Sequence, residues 1–453
     1  MIAIIGGGVA GLYVGMQLGN KAMVLESRSN VGGRCRTRYT KDGKAVLYET
    51  GPWRFHESHE RLKQLMARVG LDSVPSTSVV NKDQDKTPPD LRGDLSSWDA
   101  IAKRRGAPAA RRADIKGGYE GILAATDVVN VYHAQRHAGG KYSAIKTGFS
   151  SLIDALRSAA EERGCRVHTK SRVVDVWRGK SGYKRYTLKC SNGKTYRAAH
   201  VICCVPPHAA MQWSISQQWL LAQLHSVSTI PLCHVYARYA DAPPPTKKTV
   251  TSGLLAQKIP GDYENGWFQA SYSAGQTAHF WNRVALQGTL VPTLEKELGK
   301  KLSDAKAHHW PHAVHFWRPA FGIRKSVSNL VRRCVVPHPV ALPGFFWCGE
   351  AFSSVQGWVE GALQTADMVL RRLNGTNNSV PQPPKGWRKS CLVVDGRVVD
   401  VSKFQRVHPG SEQAIAMFVG KNASTVFRDI GHSEHAWAHL FSLQIGWDSS
   451  DPQ

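Results

Sequence analysis

The chain has 453 residues, enough for two or three domains, and carries a net charge of +25. Its hydrophobic content of 42% is ordinary for a globular protein, and the lack of any run of about 18 apolar residues excludes a transmembrane helix. The nine cysteines are scattered, with no Cys-x-x-Cys pair, so we expect a reducing, cytoplasmic location and no disulfide framework. We expect no signal peptide, because the first residues already form a strand and its glycine turn.

The first 30 residues predict a strand, a glycine turn, a helix and a second strand. Met1–Ile5 is apolar, Gly11–Leu18 suits a short helix, and Ala22–Leu25 suits a second strand that ends at Glu26. This order is typical of the first unit of a dinucleotide-binding domain, in which the cofactor lies at the carboxyl ends of parallel strands.

Three glycines of the turn have distinct predicted roles. In Gly6-x-Gly8-x-x-Gly11 the first glycine makes the tight turn, the second lets the backbone approach a pyrophosphate, and the third permits close packing of the helix. Glu26 stands at the distance from the turn at which an acid accepts the ribose hydroxyls. These four residues are therefore candidates for cofactor binding.

The α/β rhythm returns twice further along the chain, in residues 146–211 and 344–373. Two long insertions, about 56–145 and 212–334, separate these pieces. The expected elements are helix Ser150–Glu162, strands Arg166–Thr169, Val173–Arg178, Tyr186–Cys190 and His200–Val205, strand Phe345–Cys348, and a helix from about Val359 to Leu373.

Motifs at both ends of this region resemble the flavin-containing amine oxidase superfamily. Val31-Gly32-Gly33-Arg34-Cys35-Arg36-Thr37 resembles its second glycine motif, and 346–350 with 357–362 resembles its C-terminal flavin motif. The resemblance implies a non-covalent FAD, with Glu350 on the ribityl chain and Trp358 as one wall of the substrate cage. The residues that it places at the FAD are Gly33, Arg34, Val173, Gly349 and Glu350.

The resemblance implies an α/β fold with a discontinuous Rossmann-type FAD-binding domain. We expect residues 1–373 to form a flavin amine oxidase-like region. Its FAD-binding part would be about 1–55, 146–211 and 335–373, and its inserted α+β substrate domain about 56–145 and 212–334. A polar, proline-rich linker at 374–386 would then connect it to a small α+β domain at 387–453.

Arg54 is the candidate for choosing the substrate. Glu49-Thr50-Gly51-Pro52-Trp53-Arg54-Phe55 resembles the segment of L-amino-acid oxidases whose arginine clamps the substrate carboxylate. A guanidinium suits a carboxylate because it donates two parallel, charge-assisted hydrogen bonds. The alternative is an arginine that serves the flavin phosphates or a surface ion pair.

Two further candidates come from the same resemblance. The family places a lysine, which holds a water at the reactive flavin nitrogen, where this chain has His234. The change weakens the case for fast reduction of oxygen. Trp317 resembles the tryptophan that lies beside the flavin.

Two histidines near the C-terminus, His408 and His432, predict a haem site. The segment from about 388 to 447 resembles cytochrome b5, and both haem ligands of that family carry over onto these histidines. Two neutral imidazoles fill both axial positions of the iron, so a b-type haem held in this way passes single electrons and binds no oxygen. Ser411 replaces the usual second glycine, a change we expect to be tolerated if the position needs no positive φ.

The sequence as a whole predicts an FAD-dependent oxidase or dehydrogenase of amines, with an L-amino acid as the leading substrate class. Electrons would pass to the fused haem, to oxygen or to an acceptor protein, as the haem domain swings on its linker. The alternatives are a polyamine or monoamine oxidase, a desaturase-like flavoenzyme, and a cofactor-bearing binding protein. The positive charge, densest at 103–116, suggests an anionic partner or a solvated face.

Overall fold

The structure, a computed structural model, describes residues 1–76, 96–117, 120–121, 140–179, 185–263, 265–320, 327–375 and 383–448. Most of the expected linker, 376–382, therefore lies outside the described residues. No helix within these ranges has the length and apolar character needed to cross a membrane.

The strands are β1 (Ile2–Ile5), β2 (Ala22–Leu25), β3 (Thr37–Tyr39), β4 (Val46–Glu49), β5 (Phe55–His56), β6 (Ser73–Pro75), β7 (Tyr142–Ile145), β8 (Arg166–His168), β9 (Val173–Arg178), β10 (Tyr186–Cys190), β11 (Thr195–Ala198), β12 (His200–Cys203), β13 (Val227–Tyr239), β14 (Thr249–Val250), β15 (Gln257–Ile259), β16 (Phe268–Ala274), β17 (Leu302–Trp317), β18 (Phe345–Trp347), β19 (Cys391–Val394), β20 (Arg397–Asp400) and β21 (Gln444–Trp447). The α-helices are α1 (Val9–Leu18), α2 (Glu60–Arg68), α3 (Ser97–Arg105), α4 (Ala107–Gly117), α5 (Phe149–Glu162), α6 (Pro207–Ala210), α7 (Leu221–Leu224), α8 (Gly275–Leu286), α9 (Leu290–Leu298), α10 (Val327–Val335), α11 (Val359–Leu373), α12 (Glu412–Ala416), α13 (Ser424–Asp429) and α14 (Glu434–Leu443).

A parallel sheet forms the base of the N-terminal region, residues 1–373. Its strand order is β18-β12-β1-β2-β8, and every neighbouring pair is parallel. The central strands β1 and β2 are apolar because helices cover the sheet, and α1 packs against both α5 and α11. The elements agree with the expected ones to within two residues, and the parallel sheet confirms the predicted mixed α/β class.

A second sheet lies between residues 227 and 317. Its order is β14-β15-β16-β13-β17, and the pairs are antiparallel. Helices α8 and α9 cover one side and bury Trp281, Phe268 and Leu294. The strands β13 and β17 are long, and they carry His234 and Trp317 respectively.

The C-terminal unit, residues 383–448, contains the three-stranded sheet β19-β20-β21 and helices α12 to α14. Its hairpin turns at Asp395 and Gly396, which have φ of 51° and 70°, as a two-residue turn with left-handed residues requires. Ser411 has a φ of 91°, so the condition under which the replacement of glycine was expected to be tolerated, a position without positive φ, is not met. Its hydroxyl accepts a hydrogen bond from the Ala414 N–H over 3.3 Å and caps α12, which offsets part of the backbone strain.

The C-terminal unit is packed against the N-terminal region and does not stand apart on a linker as expected. A single buried apolar cluster contains residues of both, including Trp213, Leu220 and Phe345 from the first and Leu392, Val401 and Trp437 from the second. Helix α14 contacts α7. The expected swinging of the haem domain is thus at odds with the observed arrangement.

We predict that Gly11→Ala destabilises the fold. An added Cβ would lie 1.9 Å from the carbonyl oxygen of Gly6, so α1 must move away from β1. Overpacking of this kind costs about 1–3 kcal/mol, which would appear as a lower denaturant midpoint. Gly253→Ala is the control, because no atom lies within 4 Å of its added Cβ. Equal midpoints for the two variants would contradict the close packing.

Candidate functional site

The glycine turn between β1 and α1 has the shape of a dinucleotide cradle. Gly6 has a φ of 101°, and a Cβ added at Gly8 would meet no atom within 4 Å. The buried carboxylate of Glu26 accepts hydrogen bonds from the N–H groups of Gly7 and Arg28, each over 2.8 Å. The space next to Gly8 is therefore open to a pyrophosphate, and the hydrogen bonds of Glu26 stabilise the glycine turn.

The second glycine motif lies against this turn. A Cβ added at Gly33 would lie 3.5 Å from the Cα of Gly8. Ser171, just before β9, donates its N–H to the Glu26 carbonyl over 2.7 Å, which brings Val173 to the same edge of the sheet. Residues separated by more than 100 positions in the chain therefore meet around one turn.

Glu350 connects three parts of the N-terminal region. Its Oε1 accepts hydrogen bonds from Arg34 Nη1 over 2.7 Å and from His315 Nδ1 over 2.6 Å, and its Oε2 accepts one from the Gly357 N–H over 2.9 Å. Burial acts to raise the pKa of Glu350, but Arg34 and His315 outweigh it and lower the pKa to about 2. The carboxylate is therefore charged at neutral pH and fixes Arg34 beside Gly349.

Arg54 and Trp358 belong to one connected group of side chains that we call the aromatic chamber; its rings are Trp53, Tyr142, Trp358, His59 and Tyr272. The Arg54 guanidinium lies 4.4 Å from the ring centroid of Trp53 and 4.3 Å from that of Tyr142. The Tyr142 ring is nearly parallel to that of Trp358 at 6.1 Å, and His59 meets Trp358 edge-on at 4.9 Å. Two of the four predicted catalytic residues thus share a chamber through Tyr142.

His234 lies on β13 and contacts the aromatic chamber at Tyr272. Its ring centroid is 4.8 Å from that of Tyr272, which in turn meets Trp53 edge-on at 6.3 Å. Burial, assisted by His308, lowers the pKa of His234 to about 3, so the ring is neutral. The Gln269 amide donates to its Nδ1 over 2.8 Å and fixes its orientation.

Trp317 is only 1% exposed and packs in the core beneath residues 350–353. Its Nε1–H donates to the Ser353 carbonyl over 3.2 Å, and its ring centroid is 6.1 Å from that of Phe352. The structure thus places Trp317 behind the Glu350 turn and apart from the aromatic chamber.

The sequence analysis missed three residues of the site: Tyr142, His315 and Lys248. Burial, followed by the charge of Arg54, lowers the pKa of Lys248 to about 8, so a second cation lies close to Arg54. No local motif surrounds these residues, and they reach the site only through contacts between distant parts of the chain.

The hydrogen bonds of the two histidines in the C-terminal unit are compatible with haem ligation. The Nδ1–H of His408 donates to the Ser411 carbonyl over 3.1 Å, and that of His432 donates to the Phe427 carbonyl over 2.8 Å. Each ring thus keeps Nε2 for the iron, in the tautomer that a metal ligand needs.

The surroundings of the histidines are apolar, as a porphyrin site demands. Phe404 lies 5.6 Å from His408, and Phe427 lies parallel to His432 at 4.0 Å, between ring centroids. Four large apolar side chains near these histidines are exposed: Val407, Met417, Val426 and Ile430. A bound haem would cover such a surface, which would otherwise face water.

The profile of the family described as "Flavin containing amine oxidoreductase" matches residues 13–117 and 111–370. The profile described as "Cytochrome b5-like Heme/Steroid binding domain" matches residues 382–448. The chain therefore belongs to the flavin-containing amine oxidoreductase family, and it carries a cytochrome b5-like domain at its C-terminus. FAD is the cofactor of this family, and haem is the cofactor of cytochrome b5-like domains.

Cytochromes b5 are among the curated relatives, and each of the following matches a short part of the chain. The chain is 44% identical over 59 residues to "Cytochrome B5 isoform D" of Arabidopsis thaliana, which is 13% of this chain and 42% of that protein. It is 44% identical over 55 residues to "Cytochrome b5 type B" of Homo sapiens, which is 12% of this chain and 37% of that protein. The chain thus spans less than half the length of these relatives.

Among solved structures, the chain is similar to the crystal structure of "Putative protoporphyrinogen oxidase" from Exiguobacterium sp. 255-15. The TM-score is 0.62, and the match covers 82% of this chain and 98% of the other at 15% identity. At this identity the likeness is one of fold.

We predict that Gly8→Val abolishes FAD binding and leaves the protein folded. The added Cβ meets no protein atom within 4 Å, but the valine side chain occupies the space that a pyrophosphate needs. Flavin absorbance of the purified variant measures the loss, and circular dichroism checks the fold. A full complement of flavin in this variant would contradict the assignment of the cradle.

We predict that the unmodified protein binds a low-spin, six-coordinate haem. His408→Ala or His432→Ala should leave a five-coordinate or empty haem site without changing the flavin content, because each removes one axial nitrogen. The absorbance of the ferric and ferrous forms reports the coordination. Binding of carbon monoxide by the unmodified ferrous protein would argue against two histidine ligands.

Proposed function

We propose that the protein oxidises a primary or secondary amine, with an L-amino acid as the leading substrate, to an imine. FAD supplies the chemistry by accepting the hydride, and the electrons go on to the haem, to oxygen or to an acceptor protein. The insertion with the second sheet would serve as the substrate domain. The observation that carries the proposal is Arg54 in the aromatic chamber, connected to Trp358 through the ring of Tyr142.

Arg54 and the chamber suit an α-amino acid. The rings of Trp53 and Tyr142 both lie against the Arg54 guanidinium, and a guanidinium can donate two parallel, charge-assisted hydrogen bonds to a carboxylate. Lys248 adds a second positive charge near Arg54. Trp358 and Tyr142 offer apolar walls for the substrate side chain, so one end of the chamber favours an anion and the other an apolar group.

His234 bears on where the electrons go. A buried neutral imidazole, held by Gln269, cannot provide the positive charge of the lysine that the family uses near the flavin. Fast reduction of oxygen is therefore disfavoured, and transfer to the haem or to an acceptor protein is favoured.

A polyamine or monoamine oxidase is the second candidate function. The two cation–π contacts of Arg54 favour it, because they would also suit an arginine with a purely structural role. A desaturase-like flavoenzyme and a non-enzymatic binding protein lack a comparable observation. We further propose a cytoplasmic location, from the nine free cysteines, and an anionic partner at the basic helices α3 and α4.

We predict that Arg54→Ala weakens the binding of an α-amino acid by about 2–5 kcal/mol, because the substrate carboxylate loses its buried partner. A simple amine of the same side chain should bind the variant and the unmodified protein equally. Anaerobic flavin reduction at varied substrate concentration measures both. Reduction of the flavin by amines and never by amino acids, in the unmodified protein, would rule out the carboxylate role.

We predict that the affinity for a carboxylic acid without an amine falls as the pH rises through about 8. Lys248 is charged below its pKa of about 8 and neutral above it, so the anion loses one attractive charge. The expected change is a factor of about 2–5, as for a partly exposed ion pair. Lys248→Met should remove this pH dependence. An equal pH dependence in both proteins would assign the titration to another group.

A further inference from the structure

The C-terminal unit is held by a buried ionic cluster, formed by Asp395, Arg397 and Arg428. Asp395 is 5% exposed and accepts two hydrogen bonds from Arg428, over 2.8 and 3.1 Å. Arg397 is 1% exposed and lies 3.9 Å from the Asp395 carboxylate. A buried carboxylate without a cationic partner is strongly destabilising, so the ion pairs of this cluster fix the conformation of the turn at 395–397.

Backbone carbonyls of the N-terminal region accept hydrogen bonds from the two arginines of this cluster. Arg428 donates to the carbonyls of Gln217, over 2.8 Å, and Gln218, and Arg397 donates to that of Trp219 over 2.5 Å. In the opposite direction the His338 Nε2–H donates to the Asp395 carbonyl over 2.8 Å. The turn is thus bound from two sides by groups that have fixed positions in the N-terminal region.

The second polar contact involves Glu434, two residues after His432. Its carboxylate accepts from Arg318 Nη2 over 2.9 Å and lies 3.7 Å from His225 Nδ1. The Glu434 side chain is 58% exposed, so the pair contributes little to stability. Arg428 precedes His432 by four residues, so the N-terminal region contacts the chain on both sides of this haem ligand.

A chain of covalent and hydrogen bonds connects the contact at Glu434 to the expected flavin site. Arg318 follows Trp317, whose indole N–H donates to the Ser353 carbonyl, and the Ser353 N–H donates to the Glu350 carbonyl over 3.1 Å. Glu350 is the residue that the family resemblance places on the FAD. Covalent bonds, two hydrogen bonds and one ion pair thus connect the flavin edge of the N-terminal region to His432.

We propose that the C-terminal unit is a permanently docked part of the enzyme and that electrons enter the haem at the His432 corner, through the contact of Arg318 with Glu434. This inference rests on the proposed function, since it needs substrate-driven reduction of the haem. Each oxidised substrate yields two electrons. The first electron converts the single ferric iron of the chain to ferrous, and the second follows only after oxygen or an acceptor protein has reoxidised that iron; the accompanying protons go to solvent.

The docking is tested with the double variant Asp395→Asn, Arg428→Gln. Rapid anaerobic mixing with substrate follows flavin and haem absorbance, and hydrogen exchange follows the amides of α7 and α14. We expect faster exchange, unchanged flavin reduction, and haem reduction slower by about tenfold or more, because only the docked fraction of molecules transfers electrons. Exchange that shows release, together with haem reduction at the unmodified rate, would overturn the proposal.

The point of entry is tested with Arg318→Gln and Glu434→Gln, against Lys421→Gln, an exposed lysine of the same unit, as the control. We expect slower haem reduction in the first two, with unchanged haem spectra and thermal stability. The reversed pair Arg318→Glu, Glu434→Arg should regain part of the rate. Rates equal to the control would refute entry at this contact. These surface variants decide the matter even if the double variant loses its haem.

A third outcome separates this inference from the proposed function. If the flavin bleaches while the haem stays ferric in the unmodified protein as well, the haem step of the proposed function fails, and electron entry at His432 fails with it. If substrate reduces the haem of the unmodified protein, and the Asp395 and Arg318 variants reduce it at the same rate, the proposed function stands and the inference alone is wrong.

Discussion

The buried carboxylate of Glu350 is the interaction on which the arrangement of the N-terminal region depends. It binds Arg34 of the second glycine motif, His315 of β17 and the Gly357 N–H before α11. Because Arg34 and His315 hold its pKa at about 2, the carboxylate stays charged throughout the neutral range, and removal of either partner would leave a buried charge underpaired. The cradle of the parallel sheet, the substrate side and the C-terminal flavin motif are therefore held in one relative position.

The same strand, β17, connects this network to the second cofactor. Its residue His315 binds Glu350, its last residue Trp317 packs behind the Glu350 turn, and the next residue, Arg318, reaches Glu434 of the C-terminal unit. A flavin that accepts a hydride and a haem that accepts single electrons have different requirements: the first needs a shaped chamber, and the second needs only proximity. A fixed interface between the two sites meets the second requirement without a large motion.

The parts of the structure that could be predicted from the sequence are those in which the functional residues and their partners lie close together along the chain. Gly6, Gly8 and Gly11 define their own turn, and His408 and His432 each find a carbonyl partner within five residues. The positive φ of Ser411 was not foreseen, because it depends on the path of the loop rather than on residue type. Helix and strand limits in the parallel sheet were also correct, since apolar runs next to glycine are unambiguous there.

The remaining parts depend on long-range contacts that no local pattern encodes. Tyr142 reaches Arg54 across a separation of 88 residues, and β17 has too many partly exposed histidines to show a clear alternation. The docking of the C-terminal unit requires carbonyls at 217–219 to meet arginines at 397 and 428, and backbone carbonyls carry no sequence information at all. A proline-rich linker suggested mobility, whereas side chains elsewhere determine the arrangement.

The most direct test of the account is single-turnover reduction of the unmodified protein under anaerobic conditions. Flavin and haem absorbance would be followed after mixing with an L-amino acid at two protein concentrations. The account predicts loss of the flavin absorbance followed by the ferrous haem spectrum, at a rate that does not change with protein concentration. A haem reduced in proportion to protein concentration, or a reduced flavin beside a lasting ferric haem, would contradict it.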